Sequence, residues 1–512
     1  MLKSFTNINK EDFSINSASL INLTLGLFPI SFILGNLAIN LNITLFCILG
    51  IINLRSRILT TKFNLPIKII FLFFIAVLFS TCLSAFIEFY QTDKISPNST
   101  SGIYFMGSEN VNLEKLIKSI LLFRYFLTLI IIYFLNEKNV INFKYFFISA
   151  AFLPIIVSLD VILQYSIGFN LTGLKTFGHH NTGIFGNELI AGGYIQRFSF
   201  FSILLGFFIF KNKRNLKFIL TVILICILGT GILVSGNRMP LILFLFGLML
   251  LFLYKKNFNK IIPTSLLCFS ILFYIIASNH SWTSRMYVSF FLNIKGILTE
   301  RFVDRDAVEI DAPRVQLKNE AAAATKAEAN AAGKNNLDES PRTREFFSFL
   351  GDTMHHSRLF LSALEIWEKN KIFGNGIKSF RIDCYKLKAQ ALESLEKLNI
   401  DYNYTRNKKN RLCSTHPHNY FIEILVESGI VGLSIIVLIG VLFIVFIFRN
   451  FKIFKENNIE NLFLLAATIS LFLEAFPFKS TGSAFTTSNL TYIILLASII
   501  LSYKKRIVIS NE

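Results

Sequence analysis

Long apolar runs separated by short polar segments make up most of the chain. The runs cover roughly 17 to 25 residues, the length that an α-helix needs to cross a hydrocarbon core of about 30 Å. Helices also satisfy their own backbone polar groups, as lipid surroundings require. We therefore predict an all-α fold, a polytopic membrane helix bundle of about 12 transmembrane helices. The predicted spans are residues 17–35, 36–54, 65–86, 116–135, 143–168, 194–210, 217–235, 239–254, 261–278, 429–448, 461–478 and 487–503.

The polar segments that follow every second predicted span are basic. Arg55 and Arg57 follow the second span, for example, and Lys504 and Lys505 follow the twelfth. Lys and Arg in short loops mark the cytoplasmic side of a membrane protein. We therefore predict that both termini are cytoplasmic and that segments after odd-numbered spans lie on the outer face. The first apolar run lacks a small-residue cleavage site, so we interpret it as a retained helix.

One long polar segment, residues 279–428, separates nine predicted spans in residues 1–278 from three in residues 429–512. Long loops cross the membrane largely regardless of their charge, so this segment is predicted to lie outside. Within it, residues 304–341 are hydrophilic and lack an apolar face, which indicates a solvated helix or a disordered insert. Residues 357–372 are predicted to form an amphipathic helix, because apolar side chains recur there at helical spacing.

Composition narrows the class of protein further. The 512 residues are 53% hydrophobic and carry a formal net charge of +19. Because Lys and Arg cluster between apolar runs, this charge indicates membrane orientation signals and not a nucleic-acid-binding surface. Six cysteines are too few for a disulfide scaffold. Cys384 and Cys413 both lie in the predicted outer segment, where they either form a disulfide or remain two thiols.

A histidine motif, Thr415-His-Pro-His-Asn419, precedes the tenth predicted span. Because proline is tolerated in a first helical turn, we predict that a helix begins near Thr415 and includes His418. On such a helix His418 shares a face with Gly429 and Gly432, whose small size lets a neighbouring helix approach. A neutral imidazole at a helix N-terminus is able to act as a general base. The alternative is an interfacial histidine that only hydrogen-bonds a loop.

Two arginines are candidates for binding an anion on the same predicted outer face. Arg238 ends a tight turn, Ser235-Gly-Asn-Arg238, and Arg358 begins the predicted amphipathic helix. A guanidinium group suits bidentate binding of phosphate. The alternative is a membrane-interface arginine whose head group only reaches for water.

A glycine-rich outer loop, residues 178–188, precedes the sixth predicted span. Loops of this glycine content often line a groove, so we predict that His180 and Asn187, with Arg197 shortly after them, bind substrate. His179 and His180 are adjacent but have no clear third ligand, which is weak support for a metal site. We predict no metal.

These motifs occur in the order of a known family. His418-Asn419 is followed by nine residues and then by Gly429-Ile-Val-Gly432. This spacing resembles the C-terminal His-Asn and Gly-x-x-Gly signature of the O-antigen ligase and O-antigen polymerase family of bacterial glycosyltransferases. Three further segments are similar to family motifs, and the likeness covers residues 178–445 apart from the insert. They are Ile184-Phe-Gly-Asn187, Ser235-Gly-Asn-Arg238 (with Met239 where glycine is usual), and Arg358 with Trp367 and Gly374-Asn-Gly376.

The resemblance implies transfer of a glycan from an undecaprenyl-diphosphate carrier to a sugar hydroxyl at the periplasmic face of the bacterial inner membrane. His418 would deprotonate the acceptor hydroxyl, and Arg238 and Arg358 would hold the diphosphate. His416 and Asn419 would lie at the substrate, and Gly429 and Gly432 would be structural. No cofactor is expected, because the diphosphate lipid is already activated.

The resemblance leaves the acceptor open. For a ligase the acceptor is lipid A–core, and for a polymerase it is a second lipid-linked glycan. One long outer segment before the histidine, together with twelve spans, favours the ligase plan. A lipid-linked glycan flippase or transporter is the third alternative. It is disfavoured because the spans contain few ionisable residues, chiefly Asp160 and Glu474, and no internal repeat.

Overall fold

The computed structural model describes residues 17–55, 63–92, 108–176, 180–210, 213–279, 287, 355–384, 413–480 and 482–509. These residues are almost entirely helical, and no β-strand occurs among them beyond an isolated bridge between Phe169 and Lys175. The predicted all-α class is confirmed. The helices are α1 (Ser17–Leu34), α2 (Asn36–Leu54), α3 (Leu65–Thr92), α4 (Ser108–Leu121), α5 (Phe123–Glu137), α6 (Lys144–Ile167), α7 (Ala191–Ile209), α8 (Arg214–Val234), α9 (Arg238–Tyr254), α10 (Ile261–Asn279), α11 (His355–Trp367), α12 (Tyr420–Arg449), α13 (Phe451–Lys455), α14 (Ile459–Glu474) and α15 (Thr487–Ile509).

Within the described ranges, nine helical stretches are long and apolar enough to cross a membrane. Two shorter apolar helices, Arg238–Tyr254 and Thr487–Tyr503, coincide with further predicted spans. Helix α14, with 16 residues, coincides with another. Helices therefore occur at all twelve predicted positions, while the number that crosses the membrane stays a prediction.

Helix α7 lies at the centre of the bundle. Of the most apolar 18-residue stretch of α7, 72% is buried by the described parts of the protein, compared with 17% for the corresponding stretch of α12. Phe198, Phe200 and Phe201 of α7 are all buried. The ring of Phe201 lies 5.8 Å from that of Phe146 in α6, in an edge-on arrangement that aromatic pairs prefer. Polar groups carried by α7 are consequently held inside the protein.

The connecting segments lie at two ends of the bundle, and hydrogen bonds join neighbouring segments at each end. At one end, Lys138 Nζ donates to Asn53 O at 3.1 Å, and Lys255 donates to the backbone of Glu456. All of these residues lie in or beside segments that follow even-numbered predicted spans. At the other end the segments after odd-numbered spans meet, and there Asn419 Nδ2 donates to Pro477 O at 2.7 Å. Which end is cytoplasmic stays a prediction.

The chain divides into two compact units. The first consists of Met1–Asn279 with Leu359–Glu512, and the second is His280–Arg358. Residues from Leu359 onward, which we grouped with the outer segment, thus pack with the membrane helices. The insert at 304–341 lies outside the described residues.

Candidate active site

Asn419 caps α12 and ties its first turn to a neighbouring loop. Its Oδ1 accepts hydrogen bonds from the backbone N–H groups of Phe421, at 3.0 Å, and Ile422, at 3.2 Å. Asparagine is among the best N-cap residues because it satisfies these otherwise unpaired donors. Its Nδ2 meanwhile donates to Pro477 O. The second residue of the His-Asn motif therefore fixes both the start of α12 and its lateral position.

The prediction that this helix begins near Thr415 is wrong, because α12 begins at Tyr420. His418 directly precedes the cap and has a φ of +60°. A left-handed conformation is uncommon for a residue other than glycine, and here it turns the chain sharply into the cap. The ring centroid of His416 lies 4.2 Å from that of His418, and Thr415 Oγ1 lies 2.9 Å from His416 Nδ1. The two imidazoles thus form one cluster at the N-terminal end of α12.

Glu474, the last residue of α14, is the centre of a buried polar network next to this cluster. Its side chain is 1% exposed. Tyr420 Oη donates to Glu474 Oε1 at 2.7 Å, and Lys479 Nζ lies 2.7 Å from Oε2. Arg197 of α7 donates to both oxygens, from Nε at 3.0 Å and from a terminal nitrogen at 2.7 Å. Burial of a carboxylate costs little free energy only when hydrogen bonds and cations fill its acceptor sites, as they do at Glu474.

Arg197 has further partners on α15. A terminal guanidinium nitrogen donates to Asn489 Oδ1 at 2.5 Å, and the group lies 5.1 Å from the ring centroid of Tyr492. Tyr492 Oη donates to the backbone oxygen of Arg197 at 2.6 Å. Arg197 is therefore an anchor that joins α7, α14 and α15. Its predicted contact with substrate stays a prediction, and it would have to be made from within this network.

Lys479 is buried in the loop between α14 and α15. Burial lowers the pKa of its ammonium group to about 8, an effect that nearby Arg197 adds to and Glu474 opposes. Its Nζ also lies 5.7 Å from the ring centroid of Tyr420. Removal of a charged group from water disfavours its charged form unless partners compensate fully. Compensation at Lys479 is thus incomplete.

The Gly-x-x-Gly part of the motif breaks α12. Gly429 has φ 67° and ψ −167°, inside an otherwise continuous helix. A Cβ atom at this position would lie 2.2 Å from Ile372 O and 2.6 Å from Gly374 N. The predicted close neighbour was a helix, and this is wrong for Gly429. Its neighbour is the backbone of the loop that follows α11.

This loop satisfies the backbone groups that the break exposes. Asn375 N donates to Val426 O and Gly376 N donates to Glu427 O, both at 2.9 Å, while Ile430 N donates to Lys371 O at 3.0 Å. An interrupted helix is tolerated at membrane depth only where neighbouring groups replace its lost hydrogen bonds. The Gly374-Asn-Gly376 motif and the Gly429 motif are therefore two halves of one structural joint, close to the His cluster along α12.

Helix α11 packs over this joint through a small apolar core. Leu359, Ala363 and Ile366 are buried there with Phe380 and Val426, together with Cys384. Cys384 and Cys413 form a disulfide in the structure. The amphipathic helix predicted at 357–372 overlaps α11, in which Ala363 is buried and Phe360 and Leu364 are partly covered. The disulfide joins the segment after α11 to the chain that enters the His motif.

Arg358 is the fourth residue of α11. Its side chain lies outside the described parts of the structure, and the residue belongs to the second compact unit. Its expected role in holding the diphosphate stays a prediction.

The two other predicted outer loops meet each other. Asn237 Nδ2 donates to Leu189 O at 3.1 Å, and Asn237 Oδ1 accepts from Gly192 N at 3.2 Å. His180 Nδ1 lies 3.3 Å from Ser235 O. The arginine turn thus packs against the glycine-rich loop and against Gly192 near the start of α7. Gly192 lies five residues before Arg197.

Arg238 is the first residue of α9 and its side chain is exposed. Asn187 is exposed as well, whereas His179 lies outside the described residues. In the part of the chain that the structure describes, no group of three or more His, Cys, Asp or Glu residues is arranged to hold a metal ion. Arg238 is thus presented at the surface next to the glycine-rich loop.

Residues 220–437 match the family model described as O-antigen ligase. The resemblance to the O-antigen ligase family is confirmed. The matched segment contains Arg238, Arg358, the His motif and both glycines of the joint. The family is one of enzymes, of ligase and polymerase type. No curated protein matches the chain significantly.

The sequence did not reveal the network around Glu474. Glu474 stood out only as one of few ionisable residues in the spans, and Lys479 and Tyr420 did not stand out at all. Glu423 was also missed, and its Oε2 accepts from Ala484 N at 2.6 Å, tying α12 to the loop before α15. A signal did exist, because an acid inside a predicted span needs a cationic partner. Nothing in the sequence indicated which cation it would be.

Proposed function

We propose that this protein transfers a glycan from an undecaprenyl-diphosphate carrier to a sugar hydroxyl of lipid A–core at the periplasmic membrane surface. The observation that carries the proposal is the O-antigen ligase match over residues 220–437, which includes the His-Asn and Gly-x-x-Gly motif. The geometry of that motif supports it, because His418 is held at the start of α12 by the adjacent cap.

In this proposal His418 accepts the proton of the acceptor hydroxyl. The hydroxyl oxygen then forms a bond to the anomeric carbon of the donor glycan, and the bond from that carbon to the diphosphate oxygen breaks. Undecaprenyl diphosphate leaves with the bonding electron pair. His418 afterwards returns its proton to solvent. A base positioned in this way contributes about 10²- to 10⁴-fold to the rate.

Arg238 and Arg358 would stabilise the negative charge that grows on the departing diphosphate. Support for Arg238 is its exposed position at the N-terminus of α9, where the helix dipole adds to the positive potential. Support for Arg358 is its position in the family motif. The Asn237 contacts hold the Arg238 turn against the loop before α7.

A polymerase that extends a lipid-linked glycan is the alternative, since the family includes both activities. The long segment before the His motif favours the ligase. Transport is less favoured than either, because the family that the chain matches is one of enzymes. In addition, Glu474, one of the buried acids, already has fixed protein partners.

The test is reconstitution of the full chain in liposomes with an undecaprenyl-diphosphate-linked glycan. Lipid A–core is supplied in one reaction and a second lipid-linked glycan in another. Glycan on lipid A–core supports the ligase, and lengthened lipid-linked chains support the polymerase.

Within the active reaction, His418→Ala is compared with His416→Ala, its neighbour in the same cluster. We expect at least about a 100-fold loss for His418→Ala and a smaller loss for His416→Ala. Full turnover by His418→Ala would overturn the mechanism, and absence of product with both acceptors would overturn the proposed function.

A further inference from the structure

The buried network beneath the His motif contains more positive than negative charge. Arg197 and Lys479 face a single carboxylate, that of Glu474, and their side chains are 15%, 10% and 1% exposed. Among the described residues, the charged groups that act on Lys479 are Glu474 and Arg197. Among the residues that the structure describes, two cations and one carboxylate leave one positive charge without a counter-ion.

Such a surplus is unfavourable unless something outside the protein compensates for it. Burial of an uncompensated charge costs several kcal/mol in proteins. Burial lowers the pKa of Lys479, nearby Arg197 lowers it further, and Glu474 at 2.7 Å does not restore the ordinary value. Arg197 donates to Glu474 from Nε and from one terminal nitrogen, and that terminal nitrogen also donates to Asn489. Lys479 carries three N–H donors on one compact ammonium group, and Glu474 lies at 2.7 Å from it.

Lys479 is also close to the His motif. Pro477, two residues earlier, accepts the hydrogen bond from Asn419, the residue that follows His418. Lys479 Nζ lies above the ring of Tyr420, the first residue of α12. The surplus charge is therefore next to the place where the proposed reaction leaves a diphosphate.

We propose that Lys479 is a further ligand for the diphosphate of the lipid carrier. This inference rests on the proposed function. Lys479 donates to a phosphate oxygen, whose negative charge compensates the surplus of the network. Glu474 is a positioning residue, because it holds the ammonium group at the edge of the His motif, and Arg197 in turn fixes the Glu474 carboxylate. A purely structural ion pair, which would bind no ligand, is the competing explanation.

The test measures affinity and not turnover. The purified full chain in nanodiscs is titrated with undecaprenyl diphosphate, undecaprenyl phosphate, undecaprenol and inorganic pyrophosphate. The first three probes share the tail and differ in charge, and the fourth has the charge without the tail. The variants are Lys479→Gln and Lys479→Arg.

Lys255→Gln is the matched control. Lys255 is 2% exposed, donates to Asn457 Oδ1 at 3.2 Å, and also has a pKa lowered to about 8 by burial. It lies at the opposite end of the bundle, where no diphosphate is proposed to bind. A general effect of removing a buried lysine would therefore appear in both glutamine variants.

We expect Lys479→Gln to weaken undecaprenyl diphosphate binding by about 10-fold or more, as for loss of one charge-assisted contact. The loss should be smaller for the monophosphate and absent for undecaprenol. Lys479→Arg should keep most of the affinity, and Lys255→Gln should keep all of it. Pyrophosphate that competes for the site would show that the head group alone is recognised.

Equal affinity of the wild type and Lys479→Gln for undecaprenyl diphosphate would overturn the inference and leave the proposed function intact. An equal loss for undecaprenol would overturn it too, because charge would then play no part. A wild-type chain that binds neither phosphorylated lipid would overturn the proposed function as well. If Lys479→Gln does not fold, Lys479→Met takes its place, because it leaves Arg197 and Glu474 as a charge-balanced pair and buries no new polar group. Equal affinity of the wild type and Lys479→Met for undecaprenyl diphosphate would then overturn the inference.

Discussion

The close packing of the Gly429 motif against the Gly374-Asn-Gly376 motif can be tested by adding one methyl group at Gly429. Gly429→Ala places a Cβ atom 2.2 Å from Ile372 O, 2.4 Å from Ile372 C and 2.6 Å from Gly374 N. All three are backbone atoms, so no side-chain rotation relieves the overlap. The conformation at Gly429, with φ 67° and ψ −167°, is also one that alanine rarely adopts.

Both effects destabilise the folded protein. The backbone strain costs about 1–3 kcal/mol. Overpacking against a fixed neighbour costs about 1–3 kcal/mol more. We therefore expect the free energy of unfolding to fall by about 2–6 kcal/mol, with a further loss if the Asn375 and Gly376 hydrogen bonds to α12 break. Since the same segment of α12 follows the His motif, glycan transfer should fall as well.

The assay is thermal unfolding in detergent, alongside glycan transfer in liposomes. Gly440→Ala is the control, because it lies on the same helix and a Cβ atom there meets nothing within 4 Å. Alanine favours a helix over glycine by about 1 kcal/mol, so this variant should be at least as stable as the wild type. If Gly429→Ala and Gly440→Ala unfold at the same temperature and keep full activity, the account of the joint is refuted.

Three further predictions concern the same end of the bundle. Cys384→Ser opens a loop with a sequence separation of 29 residues, and the chain-entropy relation gives a loss of about 3–4 kcal/mol; two alkylatable thiols in non-reduced wild-type protein would contradict it. Tyr420→Phe removes a hydrogen bond to the Glu474 carboxylate and should cost about 1.5–3 kcal/mol, so an unchanged melting temperature would argue against it. Between about pH 8 and 10.5 the unfolded chain holds a proton on Lys479 that the folded protein releases. Wild-type stability should thus rise with pH in that window relative to Lys479→Met, and parallel pH profiles would contradict this.

Much of the helix pattern could be predicted because a bilayer-spanning segment must be a long apolar helix, which is visible in the sequence. The second predicted span, residues 36–54, has the same bounds as α2, and the eighth, 239–254, differs from α9 by one residue. The tenth was predicted at 429–448, but α12 begins at Tyr420 and breaks at Gly429. A break in an apolar helix depends on a partner that supplies hydrogen bonds, and that partner lies more than fifty residues earlier in the chain.

The sequence by itself therefore determined the all-α class, the helix positions and, through the spacing of its motifs, the family. Those properties depend on runs and intervals along one segment, which local chemistry and the demands of a bilayer decide. Only the tertiary structure decided what the motif residues do. Asn419 caps α12 and donates to Pro477, and Gly429 packs against the backbone of the loop after α11. Arg197 pairs with Glu474, 277 residues away. A buried charge takes whichever partners the fold brings within about 3 Å of it, and distance along the chain carries no information about that choice.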